Sequence, residues 1–114
     1  MVATQHVTAQ PLNVYITADG NVEGSSTIQR NGNVYTFTSN LEASIVIEAS
    51  NIVMDGAGFT LQGEIYKING DNVEIKNLKI NSPATAIEIF GSGCKILENE
   101  IQADRKGIRI RVQQ

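Results

Sequence analysis

Three carboxylates, Glu98, Glu100 and Asp104, lie close together toward the C-terminal end of the 114-residue chain, with Arg105 and Arg109 following. A glycosidase needs two carboxyl groups about 5–5.5 Å apart for retention, or about 6.5–9.5 Å for inversion, beside a cleft that admits a sugar. Glu98 and Glu100 are the nearest such pair in sequence, with Glu88 and Asp104 as further neighbours. A calcium-assisted lyase would combine acidic oxygens with a basic group, and Asp104, Arg105 and Arg109 carry those groups. Ca²⁺ takes about 6–8 oxygens, more than this cluster offers. A single cysteine, Cys94, cannot close an internal disulfide, and a single histidine, His6, cannot build a multi-histidine metal site. No cofactor is expected. Glu98, Glu100 and Asp104 are the catalytic candidates, and what they can do depends on the elements that carry them.

Composition narrows the alternatives. With 41% apolar and 18% charged residues the chain suffices for one compact domain. Its formal charge of −3 supplies no electrostatic footprint for nucleic acid. No apolar run approaches the ~20 residues that cross a bilayer, and MVATQHVTAQ lacks the basic-then-apolar order of a signal peptide. Neither a nucleic-acid partner nor membrane insertion is expected.

The organising feature is a 21-residue period. From Ile45 it leads to Tyr66, Ile87 and Ile108, and from Ile47 to Ile68, Ile89 and Ile110. Ile52, Val73 and Cys94 form a third ladder, and Met54, Ile75 and Ile96 a fourth. Ala57-Gly58 reads as an insertion, after which Phe59 and Leu61 match Leu78 and Ile80, and the register is expected to recover at Tyr66. Apolar and polar residues alternate inside each copy, as in Val73-Glu74-Ile75-Lys76, which is the period of strands. Clusters such as Asn69-Gly70-Asp71-Asn72 supply the corners. Short strands recurring at a fixed step stack as parallel coils ~4.8 Å apart. The expected fold is therefore all-β, a single-stranded parallel β-helix of about three and a half coils. Outward positions one period apart carry opposite charges: Lys67, Glu88 and Arg109; Glu74 and Lys95; Lys79 and Glu100; Asp55 and Lys76. Such pairing favours stacking, and it fits the acidic candidates to solvated, paired faces.

Residues 1–13 read as a flexible tail, 14–43 as N-terminal strands with a hairpin cap, and 44–114 as coils open at the C-terminal end. The hairpin signal is Asn-Gly within Arg30-Asn31-Gly32-Asn33. At the other end no cap is visible. Ile108, Arg109, Ile110, Arg111 and Val112 form an expected interface, met by a second copy or by downstream coils of a longer parent. The alternative is that Arg105, Lys106, Arg109 and Arg111 keep this end soluble. Tyr66 and Phe59 are expected in the core, Phe90 outside or at a corner, and Cys94 as a small core hydrophobe. Asn99 aligns with Leu78, an inward position at which it must find hydrogen bonds.

The stretch IVIEASNIVMDGAGFTLQG, followed by INGDNVEIKNLKI and SGCKILENEI, resembles the right-handed parallel β-helices of the pectin-lyase-like class. It is most similar to the repeat of carbohydrate-binding proteins and sugar hydrolases, including NosD-like periplasmic proteins. The likeness spans about residues 14 to 112, with Asp55-Gly56-Ala57-Gly58 as its most specific motif. It implies a right-handed coil and an extracellular, cell-surface or periplasmic setting. It also raises copper, for which His6, Cys94, Met1 and Met54 stand at unrelated positions, so no copper site is expected. Fold does not carry function across this class. The expected role is a non-catalytic structural, binding or assembly module, with a carbohydrate-binding or carbohydrate-active domain, its partner a glycan, as the alternative.

Overall fold

The computed structural model describes residues 12–111, which form thirteen β-strands and no helix. In chain order these are β1 (Leu12–Ile16), β2 (Val22–Glu23), β3 (Ile28–Asn31), β4 (Val34–Phe37), β5 (Leu41–Ile47), β6 (Val53–Asp55), β7 (Thr60–Ile68), β8 (Glu74–Lys76), β9 (Lys79–Ser82), β10 (Ile87–Ile89), β11 (Lys95–Leu97), β12 (Glu100–Ala103) and β13 (Ile108–Ile110). They close a β-solenoid of four coils. One wall is the parallel stack β4-β6-β8-β11; the other is β5-β7-β9-β12, with β10 on β7 and β13 on β10. Strand β1 adds a layer in parallel beneath β5, beginning at Leu12, two residues inside the segment read as a tail.

Alternation puts one side of each strand inside. Along β5, Leu41, Ala43, Ile45 and Ile47 are buried while Glu42 faces solvent. Each fully enclosed isoleucine contributes about 1.5–3 kcal/mol by leaving water. The coil turns at residues held in the left-handed region: Asn51, Asn72 and Gly93, at φ 60°, 55° and 73°, share one corner at the 21-residue step. Asparagine tolerates this conformation better than most residues, and the Asn72 amide donates to the Asn51 side-chain oxygen at 3.1 Å, tying successive corners. At the next corner Asn77 and Glu98 have φ 54° and 55°. Gly56 packs so closely under the coil above that an added Cβ would lie 2.5 Å from the Leu78 Cα.

The period holds although the coils differ locally. Relative to the third coil, the second has two more residues at the Ala57-Gly58 turn and one more inside β7; the third has three more between Ile80 and Ile87 than the second has between Leu61 and Ile65. These differences cancel. The register therefore recovers at Ile68, not at Tyr66: Ile45 pairs with Ile65, Ile65 with Ile87, and Ile47 with Ile68. Tyr66 is the additional residue of a β-bulge and is 50% exposed, which corrects its expected inward position.

The N-terminal end is closed by antiparallel pairs. Strand β2 folds back on β1, and β3 on β4. The β3–β4 turn centres on Gly32-Asn33, one residue later than Asn31-Gly32, with Gly32 at φ 63° in the first central position, as a type II′ turn requires. The buried Tyr35 hydroxyl donates to the Gly20 carbonyl at 2.5 Å, fastening the preceding loop over the coil. That loop is held by Thr17, whose hydroxyl donates to the Asp19 carboxylate.

Candidate functional site

The fourth coil contains every C-terminal candidate within the described residues, and its burial separates it from the others. The Ile47 ladder runs from 0% exposure at Ile47 and Ile68 through 6% at Ile89 to 66% at Ile110. Ile45, Ile65 and Ile87 are fully buried, whereas Ile108 is 41% exposed. Leu97 is also exposed, and Ile96, Ile101, Ala103 and Cys94 are only partly buried against the core. Strands β11, β12 and β13 each pair on one side only among the described residues. Ile108, Arg109, Ile110 and Arg111 all lie on this open end; Val112 is outside the described residues.

The three catalytic candidates are spread along one edge. Glu98 occupies the left-handed corner before β12, Glu100 opens β12, and Asp104 follows it. All three are exposed. Among the described residues, neither Glu98 nor Glu100 lines a groove with Asp104. Asp104 instead borders a lateral groove of about 310 Å³ with Glu42, Gln62 and Asn81. There Glu42, Gln62, Asn81 and Gln102 stack in register as an exposed ladder of carboxylate and amides. Sequence reasoning missed it because the first two steps are 20 and 19 residues.

Four of the five expected charge registers are present in the backbone, and the β-bulge interrupts the fifth, between Lys67 and Glu88. Glu88 stands opposite Arg109, Lys95 opposite Glu74, Glu100 opposite Lys79, and Lys76 opposite Asp55. Among the described residues the ion pair that closes is another one, Arg111 Nε to Glu88 Oε2 at 2.6 Å. The Lys67 ammonium lies 5.5 Å from the Tyr66 ring centroid and 5.6 Å from that of Phe90, an arrangement that attracts a cation to both rings. Phe90 is half-buried at the end of β10. Tyr66 also borders a second lateral cavity of about 360 Å³ with Glu64, Thr85, Glu88 and Arg105.

Two remaining candidates are structural. The half-buried Asn99 accepts a hydrogen bond from the Leu78 N–H at 3.0 Å and donates to the Ile75 carbonyl at 2.9 Å, stitching the last coil to the third. Cys94 packs against the core with its sulfur 3.9 Å from the Gly70 carbonyl. Met54 is fully buried, and Met1 and His6 lie outside the described residues. Among the described residues no three His, Cys, Asp or Glu side chains gather as a metal site would require. No family model, curated protein or solved structure matches the chain.

Proposed function

We propose that this chain is a structural assembly module whose fourth coil receives a further β-layer, from a second copy or from a continuing solenoid. The observation that carries the reading is the emergence of ladder positions, enclosed in three coils, at the surface of the fourth, where Ile110 is 66% and Ile108 41% exposed. Strand edges and exposed apolar side chains together make a template for pairing. The Asp55-Gly56-Ala57-Gly58 turn and the coil architecture support placing the module with the right-handed, pectin-lyase-like β-helices, and through them in an extracytoplasmic setting. The test is solution mass by light scattering. Association that rises with concentration and is abolished by Ile110→Asp supports the reading. A wild-type protein that stays monomeric to ~100 µM, a concentration at which even weak specific contacts are populated, overturns assembly through a second copy.

A second reading, glycan binding along the lateral wall, is favoured by one observation. The bulge turns Tyr66 outward beside Glu64, Thr85, Glu88 and Arg105, giving an aromatic surface next to polar groups. Loss of a glycan-array signal in Tyr66→Ala, with retention in Ile110→Asp, would favour it over the assembly reading.

A further inference from the structure

The last coil is not uniformly charged, and the arrangement of its charges selects a partner. Strands β9 and β10 both stack on the single strand β7, β12 stacks on β9, and β13 on β10, so β12 and β13 are two halves of one long edge. The first half carries Glu98, Glu100 and Asp104; the second carries Arg105, Lys106, Arg109 and Arg111. The edge is acidic along one half and basic along the other, with the boundary between Asp104 and Arg105.

Resting on the assembly reading, we infer that the open end binds a second copy of this chain, tail to tail, about a two-fold axis through the Asp104–Arg105 boundary. A two-fold axis there lays the edge antiparallel on itself. It sets Asp104 opposite Arg105, Glu100 opposite Arg109 and Glu98 opposite Arg111 of the second copy, each twice per dimer. The same register sets Ile101 opposite Ile108, both on the inward side of their strands, and Ile110 opposite the Asn99 amide. Arg111 uses Nε for Glu88 and keeps its terminal N–H groups for the second carboxylate. A head-to-tail contact is not favoured, because the N-terminal end presents the two-residue β2 and the antiparallel hairpin β3–β4. The contact is isologous and closes on itself as a dimer.

Two single charge reversals at exposed positions test this. Asp104→Arg makes the boundary basic in both copies, and Arg105→Asp makes it acidic in both. Each variant alone is expected to associate at least ~10-fold more weakly than wild type, because like charges then face each other across the axis. The equimolar mixture is expected to regain wild-type affinity as a heterodimer, since the basic boundary of one variant then meets the acidic boundary of the other at both contacts across the axis. Circular dichroism of each variant confirms that the fold is kept. If wild type dimerises and Ile110→Asp abolishes the dimer, but mixing restores nothing or the single variants associate as wild type does, the two-fold arrangement is overturned while the assembly reading stands. If wild type does not associate at all, the two-fold arrangement fails together with assembly through a second copy.

Discussion

Truncating one ladder residue per coil should expose the difference between an enclosed coil and an open one. Ile68 is fully buried between Ile47 and Ile89, so Ile68→Ala loses its transfer free energy and leaves a cavity, about 2–5 kcal/mol together. Ile110 keeps 66% of its surface in water, so about a third of the ~1.5–3 kcal/mol for a buried isoleucine is at stake, or about 0.5–1 kcal/mol. Urea unfolding followed by circular dichroism at low micromolar concentration would measure both, with Ile47→Ala and Ile89→Ala expected to fall with Ile68→Ala, since all three are buried. An unchanged denaturant slope would show that stability, not the extent of unfolding, had moved. At high concentration the Ile110→Ala cost should grow, because association then stabilises the folded chain by mass action. Equal costs at Ile68 and Ile110 in dilute solution would refute the claim that vertical neighbours enclose one residue and leave the other bare.

Deleting Tyr66 should cost less than about 1 kcal/mol by the same assay, because it removes a bulge and leaves Ile65 and Ile68 facing inward; deleting Val46 from the regular strand below, β5, should unfold the protein by reversing its faces. Asn99→Ala should cost about 1–3 kcal/mol, since the Leu78 N–H and Ile75 carbonyl lose their partner, and the loss should appear as faster hydrogen exchange at the Leu78 amide. The hydrogen bond from Thr17 holds the Asp19 carboxyl below its ordinary value of 3.8, so its stabilisation is complete above that value and declines as pH falls through the lower folded value. Asp19→Asn should therefore flatten the acid limb of a stability–pH curve and leave neutral-pH folding intact.

The fold was legible because its strongest signal, the inward ladder from Ile47 to Ile110, survives every local irregularity. The bulge was not legible. Ile65-Tyr66-Lys67-Ile68 offers two apolar residues that fit the inward slot, and a fixed step selects Tyr66. The compensating residues lie elsewhere, at Ala57-Gly58 and around Pro83, so no local pattern reveals the shift. The lateral ladder of Glu42, Gln62 and Asn81 was hidden for the same reason. Asn99 was legible from its alignment with Leu78, because an amide in an apolar slot must be bonded by the backbone around it. The Glu88–Arg109 register was legible, but the Arg111–Glu88 ion pair was not, because backbone register does not say which of two outward arginines closes on the carboxylate.

The charges of the fourth coil argue against simple edge protection. Glu100 and Arg109 have opposite charges beneath them in Lys79 and Glu88, as the stacked coils lead one to expect. Glu98, Asp104, Arg105 and Lys106 do not: one period below stand Asn77, Pro83, Ala84 and Thr85. Asp104 borders the lateral groove with Glu42, and Arg105 the lateral cavity with Glu64 and Glu88. A strand edge kept solitary by charge needs one sign, so that a second copy is repelled. Here both signs occur, segregated to opposite halves of one edge, and an antiparallel copy meets attraction at each half. The fourth coil thus keeps the apolar ladder and the Lys79–Glu100 and Glu88–Arg109 registers of the stack, and adds charges that, in the two-fold arrangement proposed above, meet their opposites in a reversed copy.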